Sequence, residues 1–133
     1  MGDRFDAVRL ALGRGPALRL AVVFGSVATG HSRATSDLDI AILPADPTIT
    51  LMDEARLAGA IEEAWGASVD LVRLDLASTF LRWQIARDGQ PLLSEPVSEW
   101  TRFRAVAASD HADFQEPFSR AAELFRRRIA RLG

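Results

Sequence analysis

The sequence predicts an α/β fold in which a small mixed β-sheet has helices packed mainly on one face and is followed by a helical tail. Three observations indicate this class. Short apolar runs of strand length alternate with longer segments whose apolar residues recur at steps of three and four. Glycine and proline stand at the junctions between these segments. Beyond residue 95 the pattern is helical and contains no further strand signal.

The first third of the chain predicts one short helix and two strands joined by a turn. Residues 4–13 can form the helix, and the Gly- and Pro-containing stretch 13–16 ends it. Residues 18–24 are apolar and rich in Val, which favours a buried strand. Residues 25–36 are small and polar and predict a tight turn, with room for one helical turn, and a loop. Residues 37–43 alternate and then become fully apolar, which indicates a second strand.

The middle of the chain predicts a helix, a strand, a second helix and an edge strand, in that order. Residues 51–65 place apolar side chains on one face of an amphipathic helix, which Gly66 ends. Residues 68–74 alternate again and predict a third strand. Residues 76–88 favour a helix, and residues 90–93 a short edge strand.

The sequence shows no internal repeat, low-complexity linker or domain boundary. We therefore expect a single domain over residues 1–133, with a compact α/β part over about 1–94 and a helical tail over about 95–133. Pro117 is expected to kink or split the tail, because proline lacks a backbone N–H and clashes with the preceding turn. The aromatic residues of the tail are expected to be mostly core, and any excess to form a subunit or partner interface.

Composition and charge narrow the class of protein. The chain has 133 residues, of which 48% are apolar, as is normal for one globular domain. A net charge of −2 gives no electrostatic reason to expect nucleic-acid binding. The sequence has no Cys, which excludes disulfides and thiolate metal sites and is compatible with the cytoplasmic location that we expect. No apolar run approaches the ~20 residues needed to span a bilayer, and the N-terminus lacks a signal-peptide pattern, so no membrane partner is expected.

Two aspartates mark the start of the second predicted strand. Asp37 and Asp39 are two residues apart, so their side chains point to the same face. Leu38 and Ile40 point to the other face, toward the core, and define the register of the strand. Two adjacent carboxylates repel each other unless a cation lies between them, and Mg²⁺ binds carboxylates together with phosphates and water. The pair therefore predicts a magnesium site.

A glycine–serine pair follows the first predicted strand. Gly25 can take a backbone conformation closed to other residues and can let the backbone come close to a phosphate. Ser26 offers a hydroxyl and an N–H at a helix N-terminus, where anions are favoured. The Gly-Ser corner and the Asp-x-Asp strand would thus bracket a triphosphate and its metal.

A third carboxylate, Asp70, lies in the third predicted strand between Val69 and Leu71. An Asp among apolar strand residues is costly unless it is paired, exposed or metal-bound. We assign it to the same face as Asp37 and Asp39, where it can share a second metal ion and accept the proton of an attacking hydroxyl.

The stretch from the Gly-Ser pair to the Asp-x-Asp pair resembles the signature of nucleotidyltransferases of the DNA polymerase β superfamily in its smallest form, the MNT proteins. The resemblance covers roughly residues 18–74 and extends more loosely over the C-terminal helices. It implies a polymerase β-like fold and the transfer of AMP, or another nucleoside monophosphate, from ATP or another NTP with two Mg²⁺ ions. MNT proteins are often antitoxins encoded beside a HEPN-domain RNase toxin. The resemblance therefore implies a cognate HEPN toxin as partner and a Tyr of that toxin as acceptor.

The same resemblance gives roles to individual residues. It makes Asp37, Asp39 and Asp70 the catalytic, metal-binding triad, and Gly25 and Ser26 the phosphate contacts.

The loop after the Gly-Ser pair departs from the family pattern. Antitoxin relatives commonly carry Ala-Arg-Gly after Gly-Ser-x, whereas this chain has Ala-Thr-Gly at residues 28–30. We expect Arg33 to replace that arginine, with Thr35 and Ser36 as further phosphate-site residues.

Two other functions are compatible with the residues. The first is a non-catalytic antitoxin that neutralises its toxin by binding alone. The threonine at position 29 favours it, whereas three clustered carboxylates argue against it. The second is a nucleotidyltransferase acting on a small molecule or an RNA end, and the lack of a second domain and of strong positive charge argues against it. A homo-oligomer is a further alternative, since half of the substrate site can come from a partner or a second subunit.

Overall fold

The computed structural model describes residues 3–30 and 37–132, apart from the side chains of residues 3, 115–119 and 132. The predicted order of elements is confirmed, and the strand boundaries agree with the predicted ones within one residue. The elements are α1 (Asp3–Gly13), β1 (Leu18–Phe24), α2 (Gly25–Ala28), β2 (Leu38–Pro44), α3 (Leu51–Trp65), β3 (Val69–Arg73), a 3₁₀ turn (Leu74–Leu76), α4 (Thr79–Asp88), β4 (Gln90–Ser94) and α5 (Glu99–Leu132).

The four strands in the described ranges form one mixed sheet in the order β3–β2–β1–β4. β1 lies antiparallel to β2 on one side and to β4 on the other, whereas β2 and β3 run parallel. The parallel pair is possible because α3 provides the crossover that such a connection requires. The α/β class with a small mixed sheet is confirmed. This order also places the two strands that carry the predicted acidic residues side by side.

Apolar side chains are buried on both faces of the sheet. On one face, Leu12 of α1 and Ile61 of α3 belong to a core cluster with the strands. On the other face, Val22 of β1 packs with Ile85 of α4, and Trp100 at the start of α5 lies against them. Full burial of one such aliphatic side chain stabilises by about 1.5–3 kcal/mol. The helices thus divide between the two faces, because the inner strand β1 is apolar on both sides.

Local signals define both ends of α3. The backbone N–H of Asp53 donates to the hydroxyl oxygen of Thr50 at 3.1 Å, and the backbone N–H of Thr50 donates to the Asp53 carboxylate at 2.9 Å. This capping box pairs N–H groups that lack intrahelical partners, and such a cap stabilises a helix by about 1 kcal/mol. Gly66 ends the helix in the left-handed conformation, with φ of 90°. The crossover from β2 to β3 therefore has a defined start and end.

α5 is one continuous helix of 34 residues, about 50 Å long. The predicted split at Pro117 was wrong. Proline removes one backbone hydrogen bond, and the residues around it are mostly good helix formers. The first part of α5 packs on α4, β1 and β4. Neither α5 nor any other described helix has the apolar length that crossing a bilayer requires.

Candidate active site

Asp39 and Asp70 are direct neighbours across the parallel pair β2–β3. They are register partners, and register partners in parallel strands project their side chains to the same face. Asp39 is partly buried and Asp70 is exposed. Leu38 and Ile40 on either side of Asp39 are fully buried, so the predicted alternation of β2 is confirmed. The structure thus brings two of the three predicted carboxylates together at one edge of the core.

The environment of Asp39 disfavours a negative charge. Burial raises the pKa of its carboxyl, and repulsion from Asp70 and then from Asp37 raises it further. Asp37 directly precedes β2 and is exposed. Because each of these effects penalises the carboxylate form, a cation held at this place would relieve all of them.

Gly25 lies directly against Asp39, where β1 passes into α2. Its φ is 73°, in the left-handed region that favours glycine, as the sequence predicts. A Cβ atom at this position would overlap Oδ2 of Asp39 and lie 3.2 Å from its Cγ atom. Glycine is therefore needed both for the backbone conformation and for the space that the carboxylate fills. The contact of Gly25 with a phosphate stays a prediction.

α2 is a single helical turn that begins at Gly25. Ser26 is its second residue and is exposed, and the first turn of a helix leaves N–H groups without intrahelical partners. The hydroxyl of Thr29 donates to the carbonyl oxygens of Gly25 and Ser26, both at 3.3 Å. The residue at the position of the family arginine thus caps the end of α2. The phosphate contact of Ser26 stays a prediction.

Gln90, to which the sequence gives no role in the site, anchors α2. Its Nε2 atom donates to the carbonyl oxygen of Ala28 at 2.9 Å. The two residues are 62 positions apart and meet because β4 pairs with β1, which leads into α2. No local sequence signal indicates this contact. Gln90 is therefore a positioning residue that only the strand pairing reveals.

A cleft of about 170 Å³ opens beside Gly25 between α2 and α4. The amphipathic pattern of α4 predicts a helix but does not show which of its side chains line a cleft. A larger cavity, of about 290 Å³, lies between α3 and the turn that follows α1 and is lined by none of the predicted site residues. The residues that line the smaller cleft are Phe24, Gly25, Thr29, Leu81, Gln84 and Asp88.

The donor set fits a hard divalent cation whose coordination is completed by substrate. Within residues 3–30 and 37–132, no three acidic or histidine side chains lie close enough together to hold a metal ion by themselves. Mg²⁺ does not need such a cage, because it keeps several waters and binds through one or two carboxylates plus substrate phosphates. Asp39 and Asp70, with Asp37 close by, offer those carboxylates.

The remaining predicted phosphate-site residues cannot be placed in this geometry. Arg33, Thr35 and Ser36 lie outside the described residues. Their roles stay predictions.

The chain matches the family of polymerase beta nucleotidyltransferases over residues 10–96. This range is well over half of the 133 residues. It begins within α1 and extends just past β4, so it includes every predicted site residue.

One curated relative is the protein adenylyltransferase MntA of Aphanizomenon flos-aquae. It is 32% identical over an alignment of 98 residues that covers 67% of this chain and 65% of the relative. The chain thus spans just under two thirds of the length of that relative.

Two solved structures are similar over nearly the whole chain. A crystal structure of a toxin–antitoxin with AMP-PNP gives a TM-score of 0.76 at 28% identity, covering 92% of this chain and 98% of the other. A structure of the tri-AMPylated Shewanella oneidensis HEPN toxin in complex with MNT antitoxin gives a TM-score of 0.68 at 27% identity. That similarity covers 93% of this chain and 96% of the other. With such coverage, both similarities include part of α5 as well as the sheet.

Proposed function

Because this chain belongs to the polymerase beta nucleotidyltransferase family, we propose that it transfers AMP from ATP, or another nucleoside monophosphate from an NTP, to a hydroxyl group. The proposed acceptor is a Tyr of a cognate HEPN RNase toxin, so that the chain acts as the antitoxin. The observation that carries the proposal is the position of Asp39, packed against Gly25 and in register with Asp70. This arrangement supports a cation site beside the start of a helix, and both features favour binding of a metal-bound triphosphate.

The similar proteins support the substrate and the acceptor class. The relative from Aphanizomenon flos-aquae is a protein adenylyltransferase. One similar structure contains the ATP analogue AMP-PNP. Another contains a HEPN toxin that carries AMP groups together with an MNT antitoxin. Together they favour ATP as the donor and a HEPN toxin as the acceptor for this chain.

Asp37, Asp39 and Asp70 are the residues that would hold magnesium, as two ions by resemblance to the family. Bound there, Mg²⁺ would neutralise charge on the triphosphate and make its α-phosphorus more electrophilic. The raised pKa of Asp39 supports this assignment, because a cation is what the crowded carboxylates lack.

The chain's own groups supply the other parts of the proposed reaction. Backbone N–H groups at the start of α2, together with Ser26, Arg33 and Ser36, hold the phosphates. Exposed Asp70 accepts the proton of the acceptor hydroxyl while the hydroxyl oxygen attacks the α-phosphorus. A phosphodiester bond to the acceptor forms, the bond to the bridging oxygen of the β-phosphate breaks, and pyrophosphate leaves.

The test is transfer of label from ATP labelled at the α-phosphate to the cognate toxin in the presence of Mg²⁺. We expect a labelled toxin whose RNase activity is lost and whose label maps to Tyr. Asp39→Asn should abolish the labelling. Asp46→Asn is the matched control, because Asp46 follows the opposite end of β2 and should leave labelling intact. An unlabelled toxin with the wild-type chain would refute the proposal.

The second candidate is an antitoxin that acts by binding alone. It is favoured by Thr29, which caps α2 and presents no guanidinium to a phosphate. The same experiment separates the two functions. If the Asp39→Asn chain still neutralises the toxin fully without transferring label, binding alone is the function.

A further inference from the structure

From residue 114 onward, α5 carries an apolar stripe that nothing covers in the described part of the chain. This α5 stripe consists of Phe114, Phe125 and Ile129, which are 63%, 63% and 53% exposed. At about 100° per residue, the three side chains lie within a sector about 60° wide. Ala107 lies in the same sector and is buried against the domain at 3% exposure. The face of α5 that packs on the domain thus continues, without cover, along the projecting half.

Four charged residues lie to one side of this stripe: Asp110 and Arg128 are about 70° from its centre around the helix, and Asp113 and Arg131 about 130°. Asp110 and Arg128 are 18 residues apart, as are Asp113 and Arg131, and 18 residues make about five full turns. The members of each pair therefore point in the same direction from the helix axis. Within the described residues none of the four forms an ion pair. The flank is acidic near the domain and basic near the end of the helix.

Other charges on the same helix are already paired. Glu123 accepts from Arg126 at 2.9 Å and from Arg127 at 3.2 Å. These i,i+3 and i,i+4 pairs are formed within one helix and need no partner. The four charged residues beside the stripe, by contrast, have opposite signs at its two ends and no ion-pair partner in the described part of the chain.

The charges have a symmetric spacing. Asp110 and Arg131 are equally far from the point midway between residues 120 and 121, and so are Asp113 and Arg128. A twofold axis through that point pairs a helix with an antiparallel copy of itself and brings equivalent flanks together. Asp110 then lies level with Arg131 of the second copy along the interface, and Asp113 lies level with its Arg128. The symmetry repeats both contacts, which gives four opposite-charge pairs.

We propose that the α5 stripe is the interface of an antiparallel homodimer centred between residues 120 and 121. In this register Phe114 packs between Phe125 and Ile129 of the second copy, so that the stripe is covered along its length. The residues on the stripe side next to the twofold axis, Ala121 and Ala122, are small. The partner that covers the stripe is thus a second copy of this chain. It is favoured because the acidic residues of one copy complement the basic residues of the other.

The size of the interface sets how strong the dimer is. Aromatic side chains bury about 150–250 Å² each. Because the side chains of the stripe are 53% to 63% exposed, the four Phe and two Ile side chains of two copies cover on the order of 700 Å². That is less than a stable specific interface buries and fits a weak, transient contact. We therefore expect a dimer that dissociates on dilution and weakens at high salt, because the flanking ion pairs are exposed.

Sedimentation equilibrium of the full chain over a concentration series tests the proposal. We expect a mass that rises from 14.5 kDa toward twice that value. The Asp110→Arg/Asp113→Arg variant makes both flanks basic, and the Arg128→Asp/Arg131→Asp variant makes both acidic. Each alone should dissociate at least about tenfold more readily than wild type, because like charges then face each other. An equimolar mixture of the two should form a heterodimer with wild-type strength.

A matched control separates this geometry from a general effect of charge. Arg126→Asp/Arg127→Asp changes the net charge as much as Arg128→Asp/Arg131→Asp, but these positions face no acid in the proposed register. The control should stay dimeric, and circular dichroism should show an unchanged helix content for all variants. A wild-type chain that is monomeric at every concentration would overturn the proposal, as would variants that fail to associate when mixed. If the stripe binds only the toxin, the wild-type chain alone will be monomeric at every concentration.

Discussion

The carboxylate oxygen Oδ2 of Asp39 occupies the volume that a Cβ atom at Gly25 would need. The two residues are 14 positions apart and meet because Phe24, which precedes Gly25, is the register partner of Asp39 in the β1–β2 pair. The glycine therefore does more than permit a turn. It lets the acid lie against the start of α2, where a metal-bound phosphate would be held in the proposed reaction.

Replacing Gly25 by Ala should damage the site more than the fold. A left-handed backbone costs a non-glycine residue roughly 1–2 kcal/mol, and relieving the overlap with Asp39 adds to this. Gly66→Ala is the control, because its φ is 90° but no atom lies within 4 Å of the added Cβ. We expect urea denaturation to show a loss of stability for both variants, and label transfer to be lost only in Gly25→Ala. Equal activity of the two variants would contradict the role of this contact.

Asp39→Asn should stabilise the metal-free protein at neutral pH. The pKa of Asp39 is raised in the folded chain from an ordinary value of 3.8, so the folded state binds its proton more readily than the unfolded state. The free energy of unfolding therefore falls as the pH rises from 3.8 through the raised pKa of Asp39, and it stays low at higher pH. Asn carries no charge and avoids this loss. Urea denaturation in EDTA across acidic to neutral pH measures the difference.

Two comparisons make that measurement specific. Asp46→Asn should instead destabilise the protein at neutral pH. Hydrogen bonds from Thr48 lower the pKa of Asp46, so its ionised carboxylate stabilises the fold at pH values above the ordinary pKa of 3.8. Added Mg²⁺ together with ATP should stabilise the wild type more than Asp39→Asn, because a ligand stabilises only the state that binds it. A wild type that Mg²⁺ and ATP together leave unchanged would argue against a metal site at Asp39.

Asp70→Asn should slow the chemical step more than it weakens binding of ATP. Loss of a general base lowers kcat by about 10²–10⁴-fold, whereas the phosphates would still be held at α2. Steady-state kinetics of label transfer should show a low kcat with a KM for ATP close to that of wild type. Glu63→Gln, which removes an exposed acid from α3, is the control and should change neither value. A higher KM with an unchanged kcat would show that Asp70 only helps to hold the substrate.

Gln90→Leu should displace α2 without unfolding the chain. It removes the hydrogen bond to the carbonyl oxygen of Ala28, and such a loss costs on the order of 1 kcal/mol. Because α2 carries the proposed phosphate contacts, we expect the KM for ATP to rise severalfold while the thermal midpoint falls by a few degrees. If the midpoint falls and the KM does not change, Gln90 supports the fold but not the site.

The sequence predicted the individual helices and strands well, and it did not predict how all of them pack in the fold. The alternation of β2 correctly places Leu38 and Ile40 in the core, because side chains alternate along any strand. Pro117 was expected to break the tail, yet the helix passes through it. The helices were expected mainly on one face of the sheet, whereas α4 and the start of α5 cover the second face. The first difference arises because the residues around Pro117 are mostly good helix formers, and the second concerns the packing of whole elements, which periodicity does not report.

The sequence by itself determined the order of helices and strands, the Gly25 turn and the alternation that separates Asp39 from the core residues Leu38 and Ile40, because each is a property of neighbouring residues. Only the tertiary structure decided that β3 lies beside β2, so that Asp70 meets Asp39, and that Gln90 reaches α2. It alone also showed that the apolar face of α5 runs on beyond the domain it packs against. These relationships join residues far apart in the chain, and only the strand order and the packing of the helices bring them together or leave them apart.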